Sequence, residues 1–343
     1  MKKLGIIGHY GSNKTFLDGQ TVKTKTLTKE FENQLGDVYK VDTYGGKKAY
    51  VKLFFKCFSA LKKCENVIIL PAHNGLRVFV PLLTLFNKVF KRKLYYFVIG
   101  GWLVKYLENK KRLTKQLKRF DGIFVETNTM KKALDEIGFT NVKVIPNCKD
   151  LKILNEGELV YSTSKPYKLC TFSRVCKQKG IEDAVKSVIK ANAYFGEIRY
   201  TLDIYGQVDQ SEQEWFNSLE KDFPSFIRYK GTINFNDSVD VLKNYFALIF
   251  PTKFYTEGVP GTIIDADASG IPVISSRWES YNDVISEDIT GVGYDFNDQN
   301  GLLELLKHED LAENLNALKI NCIKYAEYYS VKNVVKNFID EIG

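Results

Sequence analysis

Histidine is scarce in this chain of 343 residues. His9, His73 and His308 stand far apart, which leaves no zinc pattern. The six cysteines, at positions 57, 64, 148, 170, 176 and 322, form no C-x-x-C pair and no metal spacing. They are expected as reduced, mostly buried thiols of a cytosolic protein. No apolar run approaches the roughly 20 residues that span a bilayer. The longest candidate, Val78–Phe86, is short and contains Pro81. Met1-Lys2-Lys3 passes at once into a strand-like run, so no leader peptide is expected. Gly8, Gly11 and Gly19 do not make G-x-G-x-x-G, so a dinucleotide turn is not read there.

Acidic residues are few in the first half. Residues 1–150 hold 29 Lys and Arg against 12 Asp and Glu, a net +17, and the remainder holds 20 against 29, a net −9; together they make the +8 of the chain. Such asymmetry points to an anionic partner for one half. The cations stand among apolar residues in Lys52-Leu53-Phe54-Phe55-Lys56, in Phe86–Lys93 and in Lys105–Arg119. That mixture suits helices lying on an anionic membrane surface. Lysine-rich helices facing only solvent are the plainer alternative. Nucleic acid is not expected as a partner, because no binding motif is present and the second half is acidic.

Strand-length apolar runs alternate with segments of helical spacing. Leu4–Gly8, Val38–Thr43, Val67–Leu70, Leu94–Ile99, Gly122–Glu126 and Val142–Ile145 read as strands. Asp18 is a candidate cap for a helix running toward Leu35, Thr127 caps another, and Lys105–Arg119 reads as one basic helix. Leu151–Tyr167 has no period and holds Gly157, Ser162, Ser164 and Pro166, so it reads as a linker. Further strands are read at Lys168–Phe172, Tyr200–Tyr205, Ile227–Gly231, Ala247–Phe250 and Ile271–Ser275, followed by a helical tail after Tyr294. The loop after Leu70 carries His73 and Asn74, which can face a site; His73 reads first as a satisfied structural residue. Trp102 offers a stacking surface or a core side chain.

The stretch Pro251–Ala266 organises the rest. It lies where a parallel strand hands over to a helix, the edge at which open α/β sheets bind ligands. Gly258 and Gly261 permit close backbone approach, and the helix start near Thr262 favours an anion. Glu257 and Asp265, separated by seven residues, can reach hydroxyl groups of one ligand. A molecule carrying both phosphate and sugar fits; an ordinary strand–turn–helix with a solvated Glu257 is the alternative. Arg174 and Lys179, five apart before a helix start, suit a diphosphate, or else form a solvated basic loop. Asp265-Ala266-Asp267 spells D-x-D, but positions i and i+2 of a helix point to different faces, so no metal pair is read.

Glu257-Gly258-Val259-Pro260, Asp265-Ala266 and Gly270-Ile271-Pro272-Val273-Ile274 resemble the E-x7-E signature of retaining GT-B glycosyltransferases of the family-4 type, with Asp265 for the second Glu. Ser173–Ile181 resembles that family's G-R-L-x-x-x-K-G-x motif, with Ser173 for the first Gly. Pro146-Asn147-Cys148-Lys149-Asp150 is similar to its P-N-G-V-D turn, with Cys148 for Gly. The resemblance covers the second half by motif and the first half by topology.

The resemblance implies an α/β, GT-B fold of two Rossmann-like domains facing across a cleft. An acceptor-side domain is expected over 1–155, with the C-terminal helix 325–343 packing back on it, and a nucleotide-sugar domain over 165–322. It implies a retaining, metal-independent hexosyltransferase that uses a nucleotide-diphosphate sugar, UDP foremost, and a glycan acceptor, expected to be lipid-linked, in the biosynthesis of a surface polysaccharide such as capsule. Arg174, Lys179 and Glu257 are the expected catalytic residues: the cations stabilise the leaving diphosphate and Glu257 holds the donor sugar. Donor contacts are expected from Gly19, Gly206, Thr232, Gly258, Val259, Gly261, Thr262, Ile263 and Asp265, the last at the ribose. Acceptor contacts are expected from Asn74, Gly101 and Trp102. No cofactor and no metal are expected. Family members often carry a histidine near the position of Gly101; none follows here, so none is assigned. A cytoplasmic protein, peripheral at the inner face of the plasma membrane, is expected. A 2-epimerase-like enzyme and a catalytically silent sugar-binding subunit are the alternatives.

Overall fold

The structure is a computed structural model that describes residues 2–12, 19–45 and 50–342. The chain divides into two compact units, one of residues 1–150 with 330–343 and one of residues 151–329.

The first unit is built on six strands: β1 (Lys2–Gly8), β2 (Tyr39–Asp42), β3 (Cys64–Ile69), β4 (Lys93–Phe97), β5 (Gly122–Val125) and β6 (Val142–Val144), in the order β2-β1-β3-β4-β5-β6. Every pairing is parallel. Parallel neighbours need crossover connections, and the crossovers place helices on both faces. That is why β1 buries five consecutive residues instead of alternating. Leu53, Leu76, Val80 and Leu83, from helices Tyr50–Lys63 and His73–Phe90, cover one face, against Ile7, Val67 and Tyr96. Helices Gly19–Leu35 and Val331–Ile342 cover the other. The last helix buries Val331, Val334, Val335 and Phe338, an i, i+3, i+4, i+7 stripe. Phe338 meets Phe31, Phe97 and Phe124 at ring-centroid distances of 5.4, 5.0 and 5.0 Å. The chain leaves this unit after Asp150 and returns beside it, through a parallel bridge between Lys149 and Ser330.

The second unit carries β7 (Tyr167–Phe172), β8 (Tyr200–Tyr205), β9 (Ile227–Gly231), β10 (Ala247–Phe250), β11 (Val273–Arg277) and β12 (Gly291–Asp295), in the order β12-β11-β10-β7-β8-β9. Strand order reverses between β7 and β10. The helices that follow those two strands, Ile181–Phe195 and Gly261–Ala268, therefore pack into different cores, the arrangement that opens a ligand crevice in a doubly wound sheet.

Three local expectations change. The basic segment 105–119 is two helices, Leu103–Leu107 and Lys111–Leu117, because Asn109 between them takes a left-handed φ of 60°. Strand β12 has no apolar run to announce it; Gly291 is needed there because a Cβ would lie 2.3 Å from the Val273 carbonyl oxygen. The segment read as a linker packs on the second unit, where Leu154 is buried and its N–H bonds to the Ala268 carbonyl at 3.0 Å. Thr127 caps its helix as expected, accepting from the Met130 N–H at 3.2 Å, whereas Asp18 lies outside the described residues. The six cysteines are free and buried. Among the described residues no helix is long and apolar enough to cross a membrane.

Candidate functional site

The reversal between β7 and β10 brings two loops into backbone contact. The loop after β7 ends at Gly180, whose φ is 70°; a Cβ there would lie 1.9 Å from the Pro251 carbonyl oxygen at the end of β10. The Lys253 N–H bonds to the Gln178 carbonyl at 2.8 Å, tying the same loops together. The start of the first loop is fixed from its other side. Gly206, after β8, has φ 134° and would place a Cβ 1.8 Å from the Ser173 carbonyl oxygen. Only glycine fits at both positions.

This packing joins Lys179 of one loop to Glu257 of the other in an ion pair. Both side chains are largely buried, with 14% and 16% of their surface exposed. The Lys179 ammonium also lies 5.1 Å from the centre of the Phe250 ring and 5.2 Å from that of Phe254, a favourable setting for a cation. The Thr252 hydroxyl donates to the Glu257 carboxylate at 3.2 Å, and Thr252 Oγ1 accepts from the Phe254 N–H at 3.1 Å. Arg174 is exposed, and its guanidinium lies 3.6 Å from Asp209. Hydrogen bonds from the Ser211 hydroxyl and N–H, followed by the charge of Arg174, hold the Asp209 carboxyl below its ordinary range.

Helix Gly261–Ala268 starts directly after this loop. Its N-cap, Pro260, supplies no side-chain acceptor. Thr262 Oγ1 in the first turn is buried without a hydrogen-bond partner. The first turn thus keeps its positive end unneutralised by a cap. Val259 and Ile263 are core side chains, 4% and 1% exposed, so what they can offer a ligand is main chain. Gly258 is buried, Gly261 half-buried, and Thr232 exposed just after β9. Asp265 is buried and accepts from the Ser238 hydroxyl at 3.0 Å. Asp267 is also buried, neither carboxyl oxygen has a hydrogen-bond partner, and burial pushes its pKa well above the ordinary carboxylate range. Among the described residues no cluster of metal-ligating side chains occurs.

The remaining candidates belong to the first unit. Gly19 opens its helix and is exposed; Asn74 is exposed in the first turn of His73–Phe90. Gly101 and Trp102 precede Leu103–Leu107. The His73 ring stacks on Trp102 with centroids 3.8 Å apart and planes at 33°. Tyr106 stands edge-on to both at 5.2 Å and donates its hydroxyl to the His73 carbonyl at 2.8 Å. Partial burial, then the charge of Lys110, lowers the His73 pKa. This cluster joins residues 29 positions apart, so no local motif announces it. Thr252, Asp209 and Ser238 were likewise unmarked in the sequence; their roles come from contacts.

Residues 166–317 match the sequence model of the family described as glycosyl transferases group 1, and that segment holds every second-unit candidate. Over 158 residues, 46% of this chain, the sequence is 27% identical to the UDP-N-acetylglucosamine–peptide N-acetylglucosaminyltransferase GtfA subunit of Streptococcus gordonii. The match spans 30% of that relative's length. The whole chain is similar in structure to HepE of Anabaena, solved with UDP and glucose: TM-score 0.74, 13% identity, covering 100% of this chain and 99% of that one. A second neighbour is the lipopolysaccharide outer core galactosyltransferase WaaB in its apo form, with TM-score 0.69, 16% identity and 99% of each chain covered. These likenesses show the fold: two parallel six-stranded α/β sheets, as in GT-B glycosyltransferases.

Proposed function

We propose that the chain is a retaining glycosyltransferase of the family-4 type that moves a hexose-type sugar from a UDP-sugar to a glycan acceptor. The observation that carries this reading is the joining of Lys179, Glu257 and an uncapped helix start at the point where the second sheet reverses. The HepE structure with UDP and glucose and a pneumococcal GtfA structure with UDP and GlcNAc support UDP as the nucleotide.

In this reading the donor diphosphate lies against Lys179, Arg174 and the first turn of Gly261–Ala268. Its charge draws Lys179 away from Glu257, and the freed carboxylate accepts from hydroxyls of the donor sugar. Thr232 lies toward the base, and Asp265 toward the ribose. The C1–phosphate oxygen bond breaks while the acceptor oxygen bonds to C1 on the same face. The acceptor proton passes to the departing diphosphate, so no covalent intermediate is needed. Lys179 and Arg174 carry the developing charge, the role a metal would otherwise take. Asn74, Gly101 and Trp102 serve the acceptor, with His73 added through its stack on Trp102. The basic first half suits a lipid-linked acceptor at an anionic membrane surface, in surface-polysaccharide assembly.

The test is release of free UDP from a panel of UDP-sugars, with and without glycan acceptors. Acceptor-dependent release with the product's anomeric configuration retained supports the reading. A converted UDP-sugar without acceptor identifies an epimerase. Sugar-nucleotide binding without turnover on any acceptor identifies a silent binding subunit.

A further inference from the structure

Among the described residues, seventeen large apolar side chains are exposed, and seven of them lie on just two helices, Tyr50–Lys63 and His73–Phe90. On the first helix Val51, Phe54, Phe55 and Phe58 recur at i, i+3, i+4 and i+7, the spacing of a core-facing stripe. Here that stripe faces solvent, while Leu53, Cys57, Ala60 and Leu61 form a separate buried face. Val51 is 70% exposed, Phe55 64%, Leu85 58% and Val89 77%. The exposed rings pack on neighbouring rings. Phe54 meets Phe86 at 4.7 Å and Phe58 meets Phe90 at 4.9 Å, both edge-to-face. Beside them runs a groove of about 680 Å³ with Leu53, Phe79, Pro81 and Leu82 in its lining and Lys88, Arg112 and Arg119 among its polar residues. No carboxylate lines it. Between positions 50 and 120 the chain holds sixteen Lys and Arg against two acids, Glu65 and Glu108.

A contiguous apolar face of this kind marks an interaction site, and charge selects the occupant. A second copy docked through the same face would set one dense cluster of cations against another. Nucleic acid would satisfy the cations and leave four protruding aliphatic and aromatic groups in water. An anionic bilayer satisfies both. We propose that this face docks on an anionic lipid surface, with Val51, Phe55, Leu85 and Val89 entering the boundary between headgroups and acyl chains. Lys88, Arg112 and Arg119 then meet lipid phosphates, with Lys52 and Lys56 beside them on the first helix. The groove takes lipid hydrocarbon between these cations. The inference deepens the proposed membrane location and is independent of the donor chemistry.

The full chain is sedimented with phosphatidylcholine vesicles and with vesicles that also contain phosphatidylglycerol, over a range of salt. Binding by the wild type should rise with phosphatidylglycerol and fall with salt. The variant V51S/F55S/L85S/V89S should bind roughly tenfold or more weakly. K88Q/R112Q/R119Q should lose most of the dependence on phosphatidylglycerol. Thermal stabilisation by UDP, unchanged in both variants, reports that the fold and donor site are intact. Negligible wild-type binding at low salt overturns the docking proposal, and UDP-dependent activity would still stand. Equal binding by wild type and the apolar variant overturns this face while leaving a membrane location. A dimer in light scattering that the apolar variant abolishes identifies a second copy as the occupant and overturns the proposal.

Discussion

Lys179 and Glu257, 78 residues apart, neutralise one another across the two loops of the second sheet's switch point. Neither is freely solvated, so each depends on its partner for the cost of partial burial. In the proposed enzyme this pair is a closed form of the site: the carboxylate occupies the cation that a diphosphate would take. Donor binding becomes an exchange of one anion for another. The exchange links the arrival of the nucleotide to the release of the sugar-holding group.

Lys179→Ala and Arg174→Ala should each lower turnover by roughly a hundredfold or more, the scale of losing one donor to a developing anion. The two should differ in stability. Arg174 pairs at the surface, where such contacts contribute about 0–1 kcal/mol, so Arg174→Ala should keep its melting temperature. Lys179→Ala leaves Glu257 part-buried without a counter-charge, held by the Thr252 hydroxyl, and should melt earlier. Steady-state kinetics and thermal unfolding check both; wild-type turnover in either folded variant removes its diphosphate role.

Glu257→Gln should separate nucleotide from sugar. Free UDP should bind as well as in the wild type or better, because Lys179 is released from its internal partner, while sugar transfer falls sharply. Asp265→Asn should weaken UDP and UDP-sugar alike. Calorimetric titration with UDP, set beside transfer rates, tests the assignment. Weaker UDP binding in Glu257→Gln alone would reverse the two roles.

Much of the fold was legible because its signals are local. Buried parallel strands read as short apolar runs, and the fixed distance from Glu257 to Asp265 survives as sequence spacing. Contacts between distant segments leave no such trace. Thr252 holds Glu257 through a loop geometry that exists only once β10 is paired. Ser238 reaches Asp265 from another helix. Lys179 and Glu257 each stood in a readable motif, yet nothing in either motif states that they pair. The His73–Trp102 stack arises because β3 and β4 are neighbours in a parallel sheet, so the loops leaving their C-terminal ends meet. Asn109 broke a helix that its composition favoured, since periodicity does not reveal a single left-handed residue.

Activity should survive EDTA. The cations at the site are side chains, and Asp267, half of the D-x-D spelling, is 1% exposed, with neither carboxyl oxygen turned to solvent or to a hydrogen-bond partner. Loss of transfer on chelation, with recovery on adding Mn²⁺ or Mg²⁺, would return a metal to the scheme.

Stability should carry a signature of Lys319. This side chain is 1% exposed, lies 3.3 and 3.4 Å from the Tyr245 and Gly270 carbonyls, and burial lowers its pKa from 10.5 to about 8. Below that value both folded and unfolded chains hold the proton. Between it and 10.5 the unfolded chain holds a proton the folded one has lost, so this group's contribution to stability rises with pH, by up to about 3 kcal/mol. Lys319→Met should remove that rise. Unfolding of wild type and variant between pH 7 and 10.5 checks it, read as the difference between the two curves; a difference that stays flat refutes the lowered pKa.

The return of the chain beside Lys149 has a consequence for biosynthesis. The first unit needs Phe338 and its neighbours to cover one face of its sheet, and these are translated only after all of residues 151–329. The second unit is continuous and can fold as it leaves the ribosome, while the earlier-made unit waits with Phe97 and Phe124 uncovered. Order of synthesis and order of completion are therefore opposite. A stalled or truncated chain would present an apolar sheet face to chaperones and proteases even though its later-made half is finished.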